Sequence, residues 1–140
     1  MTTLSVLTFP AKVPQVKQVA VARTNTAGTD RAFLLPKGAQ IMCFVLSGTA
    51  SNAGTTATLS VGTTSGTPVE YVNAVSVLAG GVGNGVNVLS GVAGAVGAKL
   101  TADTIVYFKY AETGTASSAG AWNLFCVYFT NSSNQTGVFQ

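Results

Sequence analysis

Catalysis needs groups that take or give a proton, attack an electrophile or hold a metal, and this sequence supplies few of them. It contains no histidine. That removes the commonest general base and metal ligand, and with it Ser-His-Asp triads, Cys-His pairs and His-based metal sites. The acids number four, Asp30, Glu70, Asp103 and Glu112, and no two are close enough in sequence to suggest a carboxylate pair. A glycosidase needs two carboxyl groups about 5–10 Å apart, so only distant strands brought together by folding could make one. Asp30 beside Arg31 and Asp103 at a strand entrance read instead as turn and solubility residues. No catalytic, metal or cofactor-binding residue is assigned: the chain reads as a non-enzyme that calls for no cofactor.

The remaining reactive types also have plain readings. Gly80-Gly-Val-Gly-Asn-Gly85 lacks the Gly-x-Gly-x-x-Gly spacing and the Lys-Ser/Thr of a phosphate loop, and it opens no helix. Its glycines are bend residues, and the Gly81/Gly85 spacing would mean helix packing only in a helical context. Cys43 and Cys126 each fall inside an apolar, strand-like run, where free cysteine behaves as a small core hydrophobe. A disulfide between them requires those strands to lie side by side, and a reducing compartment fits the sequence as well. Aromatics gather at Tyr107, Phe108, Tyr110, Trp122, Phe125, Tyr128 and Phe129. Aromatics in alternating strands ordinarily pack in a core or an interface. The alternative is a glycan platform built on Trp122 and Tyr128, and the exposure of Trp122 decides between the two.

The elements that carry these residues are strands. No window shows apolar residues recurring at i, i+3, i+4 and i+7. Gln40 to Ser47 is apolar on both faces, and Thr55 to Val61 alternates Ala57, Leu59 and Val61 with Thr56, Thr58 and Ser60, the pattern of a half-buried strand. Further strands are expected at Val16 to Ala22, Arg31 to Leu35, Val69 to Val72, Ser76 to Ala79, Val86 to Leu89, Thr104 to Ala111 and Ala121 to Thr130. The last two flank a run of turn formers and read as antiparallel partners that close the core. About nine short strands at this spacing predict an all-β, antiparallel sandwich of jelly-roll type. Residues 1–14, with two prolines and no strand period, are expected as an extended N-terminal arm. Residues 15–130 form the sandwich domain and 131–140 a C-terminal tail.

Composition bounds the partners. Of 140 residues, 47% are hydrophobic and only 8% charged, against roughly 25% charged in an ordinary soluble domain. A polar but nearly neutral surface resists association weakly. The net charge is +3, and five of the seven basic residues, Lys12, Lys17, Arg23, Arg31 and Lys37, lie in the first 37 positions. They are spread singly and not interleaved with exposed aromatics, so an acidic protein partner is favoured over nucleic acid. No charge occurs between Glu70 and Lys99, but seven glycines and three asparagines interrupt that stretch, which excludes a spanning helix. The first ten residues have neither a basic n-region nor a sustained apolar region, so no secretory signal is expected. The sequons at Asn131 and Asn134 then read as coincidences of a polar tail.

The order Leu35-Pro-Lys-Gly-Ala-Gln-Ile41, Ser51-Asn-Ala-Gly-Thr-Thr-Ala-Thr-Leu-Ser-Val-Gly-Thr63 and Leu100-Thr-Ala-Asp-Thr-Ile-Val-Tyr107 resembles the jelly-roll cement or decoration proteins of tailed bacteriophages, the short-tailed ones foremost. The resemblance spans about residues 30–130 and supplies no residue motif for capsid contact. It implies a structural virion protein on the capsid outer surface, made in the host cytoplasm, that binds the major capsid protein and bridges neighbouring subunits. It further implies association with itself, as a homodimer in preference to a homotrimer. The residues that would then meet the shell are the arm's Leu4, Val6, Leu7 and Phe9 and the basic set Lys12, Lys17, Arg23, Arg31 and Lys37. A receptor- or glycan-binding module of a fibre or tail is the alternative, and a small hydrolase a third reading that requires two carboxylates meeting in a cleft.

Overall fold

The computed structural model describes residues 12–23, 30–91 and 96–131, and all of its regular structure is β. The strands are β1 (Lys12–Ala22), β2 (Asp30–Leu35), β3 (Gln40–Thr49), β4 (Thr56–Gly62), β5 (Val72–Ser76), β6 (Gly85–Val88), β7 (Thr104–Thr113) and β8 (Ala121–Asn131). Among the described residues eight strands appear where nine were expected, because one strand, β5, lies between the segments foreseen at 69–72 and 76–79 and takes only Val72 from the first and Ser76 from the second. The Glu70 carboxylate explains the late start: it accepts the Val69 N–H at 3.1 Å and the Thr63 N–H at 2.8 Å, which turns the chain there into a closed loop. β1 begins at Lys12, so the last three residues of the expected arm are strand, with Pro14 opposite Phe129.

Two four-stranded antiparallel sheets result, with orders β1-β8-β3-β6 and β2-β7-β4-β5. The pairs β1·β8, β2·β7, β3·β6 and β4·β5 are each antiparallel. They make one long folded-over hairpin wrapped into two layers, which is the jelly-roll arrangement. Wrapping also separates the two strands expected as hairpin partners. β7 and β8 belong to opposite sheets and meet across the core, where the Tyr110 and Trp122 rings lie 5.7 Å apart. Their connection, residues 114–120, crosses between layers and is pinned on the way: Asn52 Oδ1 accepts the N–H groups of Ser118 at 2.8 Å and Ala119 at 3.0 Å.

The core follows from alternation. Ala57, Leu59 and Val61 of β4 are buried, as are Val106, Phe108 and Tyr110 of β7, and they face Phe44 and Leu46 of β3 and Leu124 and Cys126 of β8. Each large side chain in that set contributes ~1.5–3 kcal/mol of burial before ordering costs. The uncharged stretch 71–98 holds β5 and β6 between glycine turns, and no helix among the described residues is long and apolar enough to cross a membrane.

Candidate functional site

Each described carboxylate is engaged by a loop. Asp103 Oδ1 accepts the Lys37 N–H at 2.8 Å. Glu70 accepts from Thr63, Thr64 and Val69, as well as from the Thr64 hydroxyl. Partial burial alone would raise the Glu70 pKa, but the Thr64 hydroxyl and the surrounding backbone N–H groups outweigh it and hold the carboxyl below its ordinary value. Glu112 stands opposite Ala57 at the other end of β4, five residues and thus ~17 Å of strand from Gly62, where Glu70 docks. That separation exceeds the span of a glycosidase pair. Among the described residues no three His, Cys, Asp or Glu side chains gather as metal ligands would.

The densest polar cluster is structural. Tyr110 Oη donates to Glu112 at 2.7 Å and lies 2.9 Å from Ser51 Oγ, which donates to Ser117 at 3.0 Å. Burial raises the Tyr110 pKa, and the adjacent Glu112 carboxylate adds to the effect, so the phenol remains a neutral donor tying loop 50–54 to loop 114–120. The cysteines answer the pairing question by geometry. β3 and β8 are neighbours, but Cys43 is opposite Val127 and Phe44 is opposite Cys126, so the two sulfurs point to opposite faces and both are free. Cys126 is buried and its thiol is pushed up to about 12, chiefly by that burial.

The glycan platform does not survive. Trp122 and Tyr128 are each only 3% exposed. The Trp122 indole N–H donates to Gly83 O at 2.8 Å, and Tyr128 Oη donates to Gln15 at 2.9 Å. Both rings fall on the inward parity of β8, so neither offers a face to a sugar.

The basic residues named as shell contacts are dispersed. Lys12 and Arg31 sit in β1 and β2. Lys17 Nζ reaches the Leu34 carbonyl at 2.7 Å, closing the gap between the edge strands β1 and β2. Arg23 follows β1, its N–H bonded to Gly120 O, and Lys37 lies in the turn before β3 beside Asp103. Leu4, Val6, Leu7 and Phe9 lie outside the described residues.

What the structure assembles is a surface that sequence reasoning did not single out. On the outer face of the β1-β8-β3-β6 sheet, the register aligns Val16 with Val127 and Cys43, and Gln18 with Phe125, Val45 and Val88. The third row is Ala20, Asn123, Ser47 and Val86. Val16, Val86 and Val88 are 60%, 73% and 66% exposed. Val16 and Val86 wall a shallow hollow of about 300 Å³ whose other lining residues are Val45, Ser47, Phe125 and Val127. No charged side chain stands in these three rows, and Lys99, bridged to Gln40 opposite Phe129, borders them at one end. A contiguous apolar surface is the feature that marks interaction sites on soluble proteins. The signal was present in the sequence: Gln40 to Ser47 and Leu124 to Phe129 are apolar at both parities, whereas a strand in a two-layer sandwich has only one face to bury.

No family model and no curated protein matches the chain. Solved structures do. A chain of the Cyanophage Pam1 capsid asymmetric unit is similar with a TM-score of 0.64 and 18% identity, over 93% of this chain and 94% of that one. A chain in the acidic stable capsid structure of Helicobacter pylori bacteriophage KHP30 is similar with a TM-score of 0.61 and 17% identity, over 87% of this chain and 94% of that one. At these identities the likeness is one of fold, and it extends over nearly the whole of each chain.

Proposed function

We propose that this chain is a structural protein of a bacteriophage particle, which binds the outer surface of the assembled capsid and cements it by bridging neighbouring subunits of the major capsid protein. The observation that carries this reading is the near end-to-end likeness to chains of two phage capsid structures. The open apolar sheet face and carboxylates engaged one by one in loops agree with a role in covering surface and not in turnover.

The mechanism is linkage. A protein that binds the assembled shell but not its dispersed subunits stabilises assembly by RT ln(1 + [L]/Kd), about 2.7 kcal/mol per site at a hundredfold excess over Kd. Contacts repeated over a lattice multiply a modest affinity. In this reading the residues ahead of β1 form the arm that reaches the shell, with Leu4, Val6, Leu7 and Phe9 as apolar anchors. Lys12, Lys17, Arg23, Arg31 and Lys37 attract acidic patches over distances of up to ~8 Å at physiological ionic strength. A chain lacking residues 1–11 then loses shell binding in a pelleting assay, and full binding by that truncation removes the arm from the mechanism.

The deciding experiment is quantitative protein composition of purified particles of the phage that makes this chain. A copy number near that of the major capsid protein supports the cementing role. A few copies per particle points to a fibre or tail module, and absence from the particle overturns the reading.

A further inference from the structure

We propose that the outer face of the β1-β8-β3-β6 sheet is a self-association surface, on which a second copy of this chain seats its own β1-β8-β3-β6 face about a two-fold axis. The inference concerns the isolated protein and its test needs no shell, so it fails or stands independently of the cementing role.

Charge favours a second copy as the occupant. The molecule carries +3, and two copies meeting through a basic surface would repel. The three rows through Val127, Phe125 and Asn123 are uncharged, while Lys99 lies beyond them in the Phe129 row, Lys109 projects from β7 of the opposite sheet toward Gly66 O and Lys37 lies in the turn before β3. Apposition through these three rows keeps those charges out of the contact and sets apolar surface on apolar surface. A partner chosen for acidity would be drawn to the basic positions instead.

The face can also be dried at little cost. Its long polar side chains satisfy each other, since Gln18 Nε2 donates to Asn123 Oδ1 at 2.9 Å. What remains is Val16, Val45, Val86, Val88, Phe125 and Val127 with the small Ser47 and Ala20. Burying these leaves no unpaired charge, the condition under which apolar area converts to affinity.

Size and shape fit the same partner. Three strands of ten or eleven residues and the four-residue β6, at ~4.8 Å spacing and ~3.3 Å per residue, give a face of about 570 Å² per copy. Two such faces bury about 1,100 Å², just under the standard size of specific protein interfaces and in the range of reversible ones. A two-fold axis makes the contact self-complementary, with the exposed ridge of Val86 and Val88 on one copy entering the hollow between Val16 and Val86 on the other. An interface of this size gives a reversible dimer whose population depends on concentration.

The test is sedimentation equilibrium of the full chain over a wide concentration range, beside the double variant Val86→Lys/Val88→Lys and the control Thr58→Lys on the opposite sheet. The wild type and Thr58→Lys form a dimer with the same dissociation constant, and the double variant weakens it ~100-fold or more by placing like charges across the axis. Val86→Thr/Val88→Thr, which keeps β-branched side chains, weakens it less and guards against a folding defect, with circular dichroism reporting the fold. In the wild type the Cys43 thiol, on the same face, is alkylated more slowly as concentration rises through the dimer range, while buried Cys126 stays silent. A wild type that remains monomeric throughout overturns the proposal. So does a dimer that survives the charged variant or is dissolved by Thr58→Lys, and a monomer whose valine variants lose shell binding gives the face to the shell.

Discussion

The two sheets share one interior and differ on the outside. β4 is written for one buried side: Ala57, Leu59 and Val61 point in while Thr56, Thr58 and Ser60 point out, and Thr113 and Lys109 extend that polar face onto β7. The exposed large apolar side chain of its strands is Leu34 of β2, opposite Ile105. β8 is written for two buried sides, with Trp122, Leu124, Cys126 and Tyr128 inward and Phe125 and Val127 outward. A sandwich of two layers gives every strand one core-facing side only. The second apolar side of β8 and β3 therefore serves something outside the chain's own core, whereas the hydroxyl side of β4 is finished against water.

The largest effect tests whether the contrast is confined to the outer faces. Leu124 and Leu59 are both fully buried, one from each sheet, in the same cluster. Leu124→Ala and Leu59→Ala should each cost about 2–5 kcal/mol in urea-induced unfolding, as deletions from a packed core do. Similar losses mean one core with two different exteriors. A Leu59→Ala loss below 1 kcal/mol would mean that the hydroxyl-faced sheet is loosely held and that the comparison describes stability and not surface.

The sequence disclosed the strands more readily than their partners. Periodicity located β3, β4, β7 and β8 because side-chain parity is local, and it named Ala57, Leu59 and Val61 as buried for the same reason. It assigned β7 and β8 to each other because they are consecutive, but pairing in a jelly roll follows distance from the fold's midpoint, a property of the whole chain. The surface was missed by a related route. Apolar residues at both parities of Gln40 to Ser47 were read as a doubly buried strand, and only the layer count turns that excess into an exposed face. Of the two readings open for Trp122, the structure takes the core one, because the Gly83 carbonyl accepts the indole N–H and so satisfies the polar edge of the ring inside the sandwich.

Acid should separate the sheets in a different way. The loop joining β4 to β5 closes on Glu70, and a Cβ at Gly62 would meet the Val69 and Glu70 backbone nitrogens at 2.7 Å, so chain and carboxylate are packed without slack. The folded pKa of Glu70 lies below its ordinary 4.5. A carboxylate depressed in this way stabilises the fold fully above the unfolded value, and the contribution disappears as pH falls through the folded value. Below pH 4.5, hydrogen exchange should therefore quicken first at Thr63, Thr64 and Val69, while the amides of β8 stay protected. Glu70→Gln should show the fast exchange already at neutral pH and a flatter acid limb in its stability profile. Equal acid sensitivity of both sheets, or an unchanged acid limb in the variant, would remove Glu70 as the cause.

The smallest effect belongs to the finished face itself. Thr56 and Thr113 face each other across β4 and β7 with their hydroxyls 2.7 Å apart on an exposed position. Cross-strand pairs of this kind contribute roughly 0.2–1 kcal/mol, and valine keeps the β-branched shape while deleting the hydroxyl. Thr113→Val should thus lower stability by no more than that amount and leave the sedimentation behaviour of the full chain unchanged, because one valine among Thr56, Thr58 and Ser60 does not make a contiguous patch. If that single change promotes self-association, the hydroxyl face is holding a second apolar surface in check, and the polarity difference between the two sheets is one of degree set by a few oxygen atoms.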